Sequence, residues 1–247
     1  SLSNLLKKIA DSEPGPETCA LFDFDGTIIS GYSATAFLKD QIARGELSPA
    51  DLIQLTQAAT RFGIGSLGFS ALMAVHAQYL AGRSESEYIA NSERLFRRAI
   101  AKLVYPEARQ LIDAHRAKGH SIAIISSATP YQVIPAAKDL GIDNVYATDL
   151  EVVDGHFTGS VVTPTCFGQG KVLAAEAFAE DHGGSVDRSF FYSDSTDDIA
   201  LLETVGYPVV LNGSKQLRVI AAEKRWPSAD FSSRGNASGG EIMRSLA

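Results

Sequence analysis

The sequence predicts an α/β fold: a parallel sheet with helices on both faces, interrupted near its start by an all-helical insertion. Three observations carry this. From Tyr105 onward, strand-like runs ("SIAIIS", "NVYATDLEV", "SFFYS", "PVVL") alternate with helix-length segments, and repeated strand–helix order implies parallel pairing through crossovers. Between Ser33 and about Leu103 the apolar residues instead recur with helical period and strand signals are few. An apolar run ahead of that segment, "LFDFDGTIIS", reads as a first strand, so the helical block is set inside the sheet-forming chain.

Taken in order, residues 1–17 read as a short amphipathic helix and a Pro-Gly-Pro linker, followed by the first strand. The insertion comprises "SATAFLKDQIARGEL", "PADLIQLTQAATRFG", "SLGFSALMAVHAQYLAG" and "SESEYIANSERLFRRAIAKLV". After it come a helix at "PEARQLIDAHRAKG", the strand "SIAIIS", a helix at "PYQVIPAAKDLG" and the strand "NVYATDLEV". A Gly-centred hairpin "VVDGHFTGSVV", a helix from Lys171, the strand "SFFYS", a helix at "TDDIALLETVG" and the strand "PVVL" complete the series. The expected division is an N-terminal helix and linker (1–17), an α/β core (18–32 and 105–226), a helical cap (33–104) and a C-terminal tail or linker (227–247). Ligands of such sheets bind beyond the carboxyl ends of the strands, the edge that an inserted cap would cover.

The chain has 247 residues and a formal net charge of -7, with no basic stripe, which argues against nucleic acid or an anionic membrane as partner. "RLFRR" at Arg94–Arg98 is short and reads as a solvated helix face. No apolar run approaches the roughly 18 residues of a membrane span, and the polar N-terminus does not read as a signal peptide. The expectation is a cytoplasmic protein without a membrane segment. Cys19 and Cys166 lie far apart without metal-ligand spacing and read as buried thiols.

The chemistry concentrates at strand ends. Asp23 and Asp25 lie inside an apolar run, and residues i and i+2 of a strand share a face. Two like charges there cost free energy unless a divalent cation lies between them or one acid stays protonated. Gly26 and Thr27 read as a turn that ends the strand and exposes backbone N–H groups; a lone Asp-Gly would be an ordinary polar turn, but a second acid inside the run is not. "SIAIIS" ends in Ser126-Ser127, which can donate to an anion at the next helix start, although such serines also serve as plain helix caps. "FGQGK" brings Lys171 to a helix start; it is no nucleotide-binding P-loop, because the spacer between glycines is short and Val172 stands where Ser or Thr is needed. In "FFYSDSTDDIALL", Asp194 ends a strand, whereas Asp197 and Asp198 open a helix, where acids favour the dipole without further function. Asp23, Asp25 and Asp194 make an oxygen-only set suited to Mg²⁺, with Ser126 and Lys171 as donors to phosphate oxygens.

In that order, Asp-x-Asp-Gly-Thr, Ser, Lys and Asp-x-x-x-Asp, the chain resembles the haloacid dehalogenase superfamily, in the branch similar to phosphoserine phosphatase (subfamily IB). The resemblance runs from about Thr18 to Trp226 and implies a Rossmann-like core and a Mg²⁺-dependent phosphatase of small phosphorylated metabolites. It implies that Asp23 is the nucleophile and Asp25 the general acid/base. Ser126, Ser127, Lys171 and Gly26 would hold the phosphate. Mg²⁺ would sit between Asp23, Asp194 and the Asp25 carbonyl, with Asp197 and Asp198 in its outer shell; Asp197 replaces the usual Asn.

Within the superfamily, "ATDLEVVDGHFTG" and "YSDSTDDIALLETVG" look closest to a subgroup of histidinol-phosphate phosphatases and of phosphatase-like domains fused to lysophosphatidate acyltransferases. The second of these gives the alternative reading, a domain acting on a lipid-related phosphate or serving a regulatory role. The tail "FSSRGNASGGEIMRSLA" reads as a linker to another domain of a longer protein. Phosphoserine phosphatases carry a Glu nine residues after the nucleophile for the substrate ammonium; here that position is Tyr32, which argues against phosphoserine specificity, unless Asp40, Glu46 or Asp51 compensates. Arg61, His76 and Tyr79 are further cap candidates. A phospho-accepting receiver domain would lack the acid at Asp25 and the cap, and a carbon–halogen hydrolase has no use for that acid. The intact motif set speaks against a degenerate binding module.

Overall fold

A computed structural model describes residues 1–47, 66–232 and positions 50, 53 and 57. The core is a six-stranded sheet in which every pairing is parallel, in the order β3-β2-β1-β6-β7-β8. These strands are β1 (Cys19–Phe22), β2 (Ser121–Ile125), β3 (Asn144–Tyr146), β6 (Phe190–Ser193), β7 (Tyr207–Leu211) and β8 (Ser228–Ala229). Their central residues are buried on both sides, as continuous apolar runs in a covered parallel sheet should be. Phe22, Ile124, Tyr192 and Val209 join one apolar cluster, and Leu21, Ile125, Phe191 and Val210 another. Phe22 stacks on Tyr192 with centroids 4.5 Å apart, and each such fully buried aromatic contributes about 1.5–3 kcal/mol relative to exposure.

Helix α1 (Leu2–Ala10) places Leu2, Leu5, Leu6 and Ile9 on one stripe, burying Leu5 and Ile9. It packs on α5 (Pro106–Ala117), and Lys118 Nζ donates to the Ala10 carbonyl. Under this contact runs a chain of polar groups. Tyr192 Oη lies 2.7 Å from His115 Nε2, His115 Nδ1 2.7 Å from His120 Nδ1, and His120 Nε2 2.9 Å from the Glu13 carbonyl. A carbonyl only accepts, so the direction is fixed: His120 Nε2–H donates to Glu13, His115 Nδ1–H to His120, and Tyr192 O–H to His115.

Between β1 and α5 the described residues form α2 (Ser33–Ala43), α3 (Ser66–Leu80) and α4 (Glu85–Leu95), the last continuing through a π turn and a 3₁₀ turn to Leu103. Most of the helix expected at "PADLIQLTQAATRFG", including Asp51 and Arg61, lies outside the described residues. The segment leaves and rejoins the core through paired backbone, with Ser30 N–H donating to the Leu103 carbonyl and Tyr105 N–H to the Ile28 carbonyl.

Two expectations need revision. The run at 144–152 is not one strand: β3 stops at Tyr146, and Leu150–Val153 (β4) pairs antiparallel with His156–Val161 (β5) in a separate ribbon. At the break, Thr148 N–H donates to the Ala128 carbonyl and its hydroxyl accepts from Cys166 N–H, and the ribbon packs against α3. After β7 the series also continues, with α9 (Lys215–Lys224) and β8; Phe231 packs edge-on to Tyr105. On the opposite face from α1 lie α7 (Gln169–Asp181) and α8 (Ile199–Thr204), while α6 (Pro130–Leu140) crosses from β2 to β3.

Candidate active site

The carboxyl ends of β1, β2 and β6, adjacent in the sheet, deliver Asp23, Ser126 and Asp194 to one edge. Register pairs Phe22 with both Ile124 and Tyr192, so the three chains run out of the sheet nearly level. Asp23 is 6% exposed, and its N–H donates to the Tyr192 carbonyl. Lys171 arrives from α7 because the preceding loop is tight: a Cβ at Gly170 would lie 1.8 Å from the Thr165 carbonyl oxygen. Its ammonium contacts Asp23 Oδ1 at 2.8 Å and Asp198 Oδ1 at 2.7 Å. Ser193 Oγ donates to Asp198 Oδ2 at 2.6 Å. The Asp198–Lys171 pair is a feature that the acids' place at a helix start did not reveal. Asp197 stays partly exposed, its N–H capped by Ser195.

Asp25 does not share the site along a continued pleat. Strand β1 ends at Phe22, and the chain turns through Phe24, which accepts from the Ile28 and Ile29 N–H groups. The Asp25 carboxylate is taken by Ser33: Ser33 N–H donates to Oδ1 at 2.6 Å and Ser33 Oγ to Oδ2 at 3.1 Å. Gly26 follows with φ +75°, and a Cβ there would lie 2.2 Å from Asp194 Oδ2. Asn212 Nδ2 donates to the Gly26 carbonyl at 3.0 Å, a fixing contact between residues whose spacing does not join them. Ser126 is buried and its Oγ accepts from Ala128 N–H, leaving its proton for an anion; Ser127 is half-buried.

Burial pushes Asp23 up to about 7, against the pull of Lys171, with Asp198 adding to the rise. Burial likewise pushes Asp25 up to about 6, and the Ser33 bonds hold it from going higher. Burial disfavours the Lys171 ammonium, but Asp198 and Asp23 outweigh it and keep the group charged. Asp194 is raised well above the carboxylate range by burial and by Asp23 and Asp198, and Asp197 is raised by burial and Asp198. Among the described residues no three His, Cys, Asp or Glu side chains form a ready metal cluster. What remains is the Asp23 and Asp194 carboxylates, close enough that each charge acts on the other. Asp23, Asp25 and Asp198 all act on Asp194 while one ammonium, Lys171, opposes them; this excess of hard, negative oxygen fits a small divalent cation such as Mg²⁺.

The cap contributes less than its candidates suggested. Asp40 is buried against Arg44 at 2.9 Å and Arg94 at 3.5 Å, and Glu46 pairs with Arg44 and, at 2.9 Å, Arg83. Tyr79 Oη donates to Glu46, and burial lowers His76 to about 4. Tyr32, at the start of α2, is 40% exposed. Phe69 of α3 stacks on Phe167 of the loop before Lys171, with centroids 4.4 Å apart, joining cap to core. Cys19 and Cys166 are free buried thiols. No helix among the described residues is long and apolar enough to cross a membrane.

A Rossmann-like sheet with a helical insertion after its first strand, and acids, serine and lysine gathered at its carboxyl edge, defines a hydrolase class. Residues 20–203 match the haloacid dehalogenase-like hydrolase family, and the chain belongs to it. It is 33% identical over 217 residues to a phosphoserine phosphatase of Mycobacterium tuberculosis, covering 86% of this chain and 70% of that protein. A histidinol-phosphatase of Neisseria meningitidis is 29% identical over 217 residues, 86% of this chain and 98% of that protein. Among solved structures, a Bordetella pertussis protein of unknown function superposes with TM-score 0.78 at 27% identity, covering 87% of this chain and 99% of that one.

Proposed function

We propose that the chain is a Mg²⁺-dependent phosphatase that hydrolyses a small phosphate monoester through a covalent intermediate on Asp23. The observation that carries this reading is the buried Asp23–Lys171 pair at 2.8 Å on the carboxyl edge of the sheet, two residues before Asp25. Asp23 attacks phosphorus in line; the ester P–O bond breaks and the leaving alkoxide takes a proton from Asp25. Water then loses a proton to Asp25 and attacks the aspartyl-phosphate, releasing inorganic phosphate and the Asp23 carboxylate. Asp25, at about 6, lies where a group that both gives and takes a proton works well near neutral pH.

Lys171, steadied by Asp198, offsets charge on the transferring group, while Ser126, Ser127 and the Gly26 N–H supply donors to its oxygens. Mg²⁺ would be held by Asp23, Asp194 and the Asp25 carbonyl, with Asp197 and Asp198 around it, and it supplies further charge neutralisation. The substrate is a small phosphorylated metabolite. Phosphoserine is disfavoured, since Tyr32 replaces the ammonium-binding Glu and both Asp40 and Glu46 are engaged by arginines.

The test is phosphate release from L-phosphoserine, histidinol phosphate, lysophosphatidate and p-nitrophenyl phosphate, with Mg²⁺ and with excess EDTA, beside Asp23→Asn. Turnover should require Mg²⁺ and fall to background in Asp23→Asn. Full activity in EDTA would overturn the metal assignment, and wild-type turnover in Asp23→Asn the covalent step.

A further inference from the structure

We propose that Gln132 is a positioning residue for Asp25, acting through the Ser33 hydroxyl; this rests on the reading of Asp25 as the acid/base. Both carboxylate oxygens of Asp25 are bonded by one residue, Ser33, whose hydroxyl has a single proton to give. Gln132 Nε2 donates to that hydroxyl oxygen at 2.9 Å, occupying one of its two lone pairs and offering no acceptor on that side, so the proton stays turned toward Asp25. Gln132 is itself held from the other side: its Oε1 accepts from Thr129 N–H at 3.0 Å and Thr129 Oγ1 at 2.9 Å. A flipped amide would set its NH₂ against the Thr129 N–H, donor against donor, so the orientation is fixed.

The result is a one-way chain, Thr129 to Gln132 to Ser33 to Asp25. Ser33 and Thr129 are 0% exposed and Gln132 9%, so water does not compete for these bonds and each strengthens the next. Thr129 caps α6 three residues beyond Ser126, and Ser33 opens α2. The chain therefore ties the loop that ends β2 to the first helix of the cap, with the Asp25 carboxylate at its end. Capping of α6 alone does not account for it, because the cap uses only Oε1 of Gln132 and the bond to Ser33 uses Nε2.

That division gives the test. Gln132→Glu keeps an acceptor for the Thr129 amide, loses the donor, and offers Ser33 a carboxylate that draws its proton away from Asp25. Gln132→Met removes both bonds, and Ser33→Ala removes the hydroxyl between. For each, kcat/KM, which reports steps up to departure of the alcohol, is measured on an alkyl phosphate and on p-nitrophenyl phosphate, with Ki for inorganic phosphate and thermal midpoint alongside.

All three variants should lose about tenfold or more on the alkyl ester, whose leaving group needs a proton, and stay within about threefold on p-nitrophenyl phosphate. Gln132→Glu should keep the wild-type midpoint, and Ki for phosphate should stay within about threefold in Gln132→Met. Wild-type kcat/KM on the alkyl ester in Gln132→Glu or Ser33→Ala would overturn the proposal, as would equal losses on both esters. Asp25→Asn should show the same leaving-group bias more strongly. If it shows none, or if the unmodified protein turns over neither ester, the acid/base reading itself has failed, an outcome distinct from failure of Gln132 alone.

Discussion

His115 should make stability fall with acid in a way that one substitution can isolate. Its ring is fully buried, edge-on to Phe22 and Phe190, with both nitrogens used in the chain from Tyr192 to His120. Burial, with a smaller push from His120, lowers it from the ordinary 6.5 to about 3. A proton added to His115 at Nε2 would meet the Tyr192 hydroxyl proton that this nitrogen now accepts, and break that bond. The unfolded chain takes that proton near 6.5 and the folded chain only near 3, so the contribution is full above 6.5 and lost as pH falls between the two. At about 1.4 kcal/mol per pH unit in that window, His115 alone removes about 2 kcal/mol between pH 7 and pH 5. Asp23, Asp25 and Asp194, all raised, act in the opposite sense there, since the folded state holds their protons more tightly. The wild-type slope is therefore a sum, and the informative quantity is a difference. Urea unfolding at pH 7 and pH 5 is compared for the wild type and His115→Gln, which keeps a donor and an acceptor. Wild type should lose about 2 kcal/mol more than the variant over that interval. Parallel losses in the two proteins would refute the assignment of His115 as a buried neutral ring.

Two other outcomes follow from the site. Gly26→Ala puts a Cβ where Asp194 Oδ2 now lies and forces a left-handed backbone on alanine, at roughly 1–2 kcal/mol of strain. The carboxylate is the part that yields, so Mg²⁺ affinity by titration calorimetry should weaken about 10–100-fold, and unchanged affinity would remove Asp194 from the metal set. Tyr32→Glu restores a carboxylate for a substrate ammonium, typically about 1.5–3 kcal/mol, so kcat/KM for L-phosphoserine should rise roughly 10- to 100-fold relative to p-nitrophenyl phosphate. Phosphoserine ranking first among the esters for the unmodified protein would contradict the reading of Tyr32.

Much of this site was legible because its residues mark changes in pattern. Asp23, Ser126 and Asp194 each follow an apolar run that stops, and a parallel sheet collects such endings on one edge. Lys171 was visible through the glycines that tighten its loop. Pairings between distant segments were not: nothing in the spacing joins Asp198 to Lys171, Asn212 to the Gly26 carbonyl, or Gln132 to Ser33. Strand periodicity overreached at Asp25, because a run of apolar residues does not announce where its pleat gives way to a turn. The same limit hid the break at Thr148, where one run serves two sheets. Ser228 and Ala229 fall in the stretch from 227 expected as tail or linker, yet edge pairing needs only backbone, which any sequence supplies.

The backbone bonds of Ser30 to Leu103 and of Ile28 to Tyr105 bring the two ends of a long excursion side by side. That pairing closes the excursion at its base, so its length costs little in closure entropy, while Phe69 on Phe167 and Ser33 with Gln132 fasten its described residues to the core further out. The reacting groups come from the sheet edge and α7, and among the described residues of the excursion Ser33 is the one bonded to Asp25. Selectivity and chemistry can accordingly change at different rates along this chain, provided these fastenings and that serine are kept.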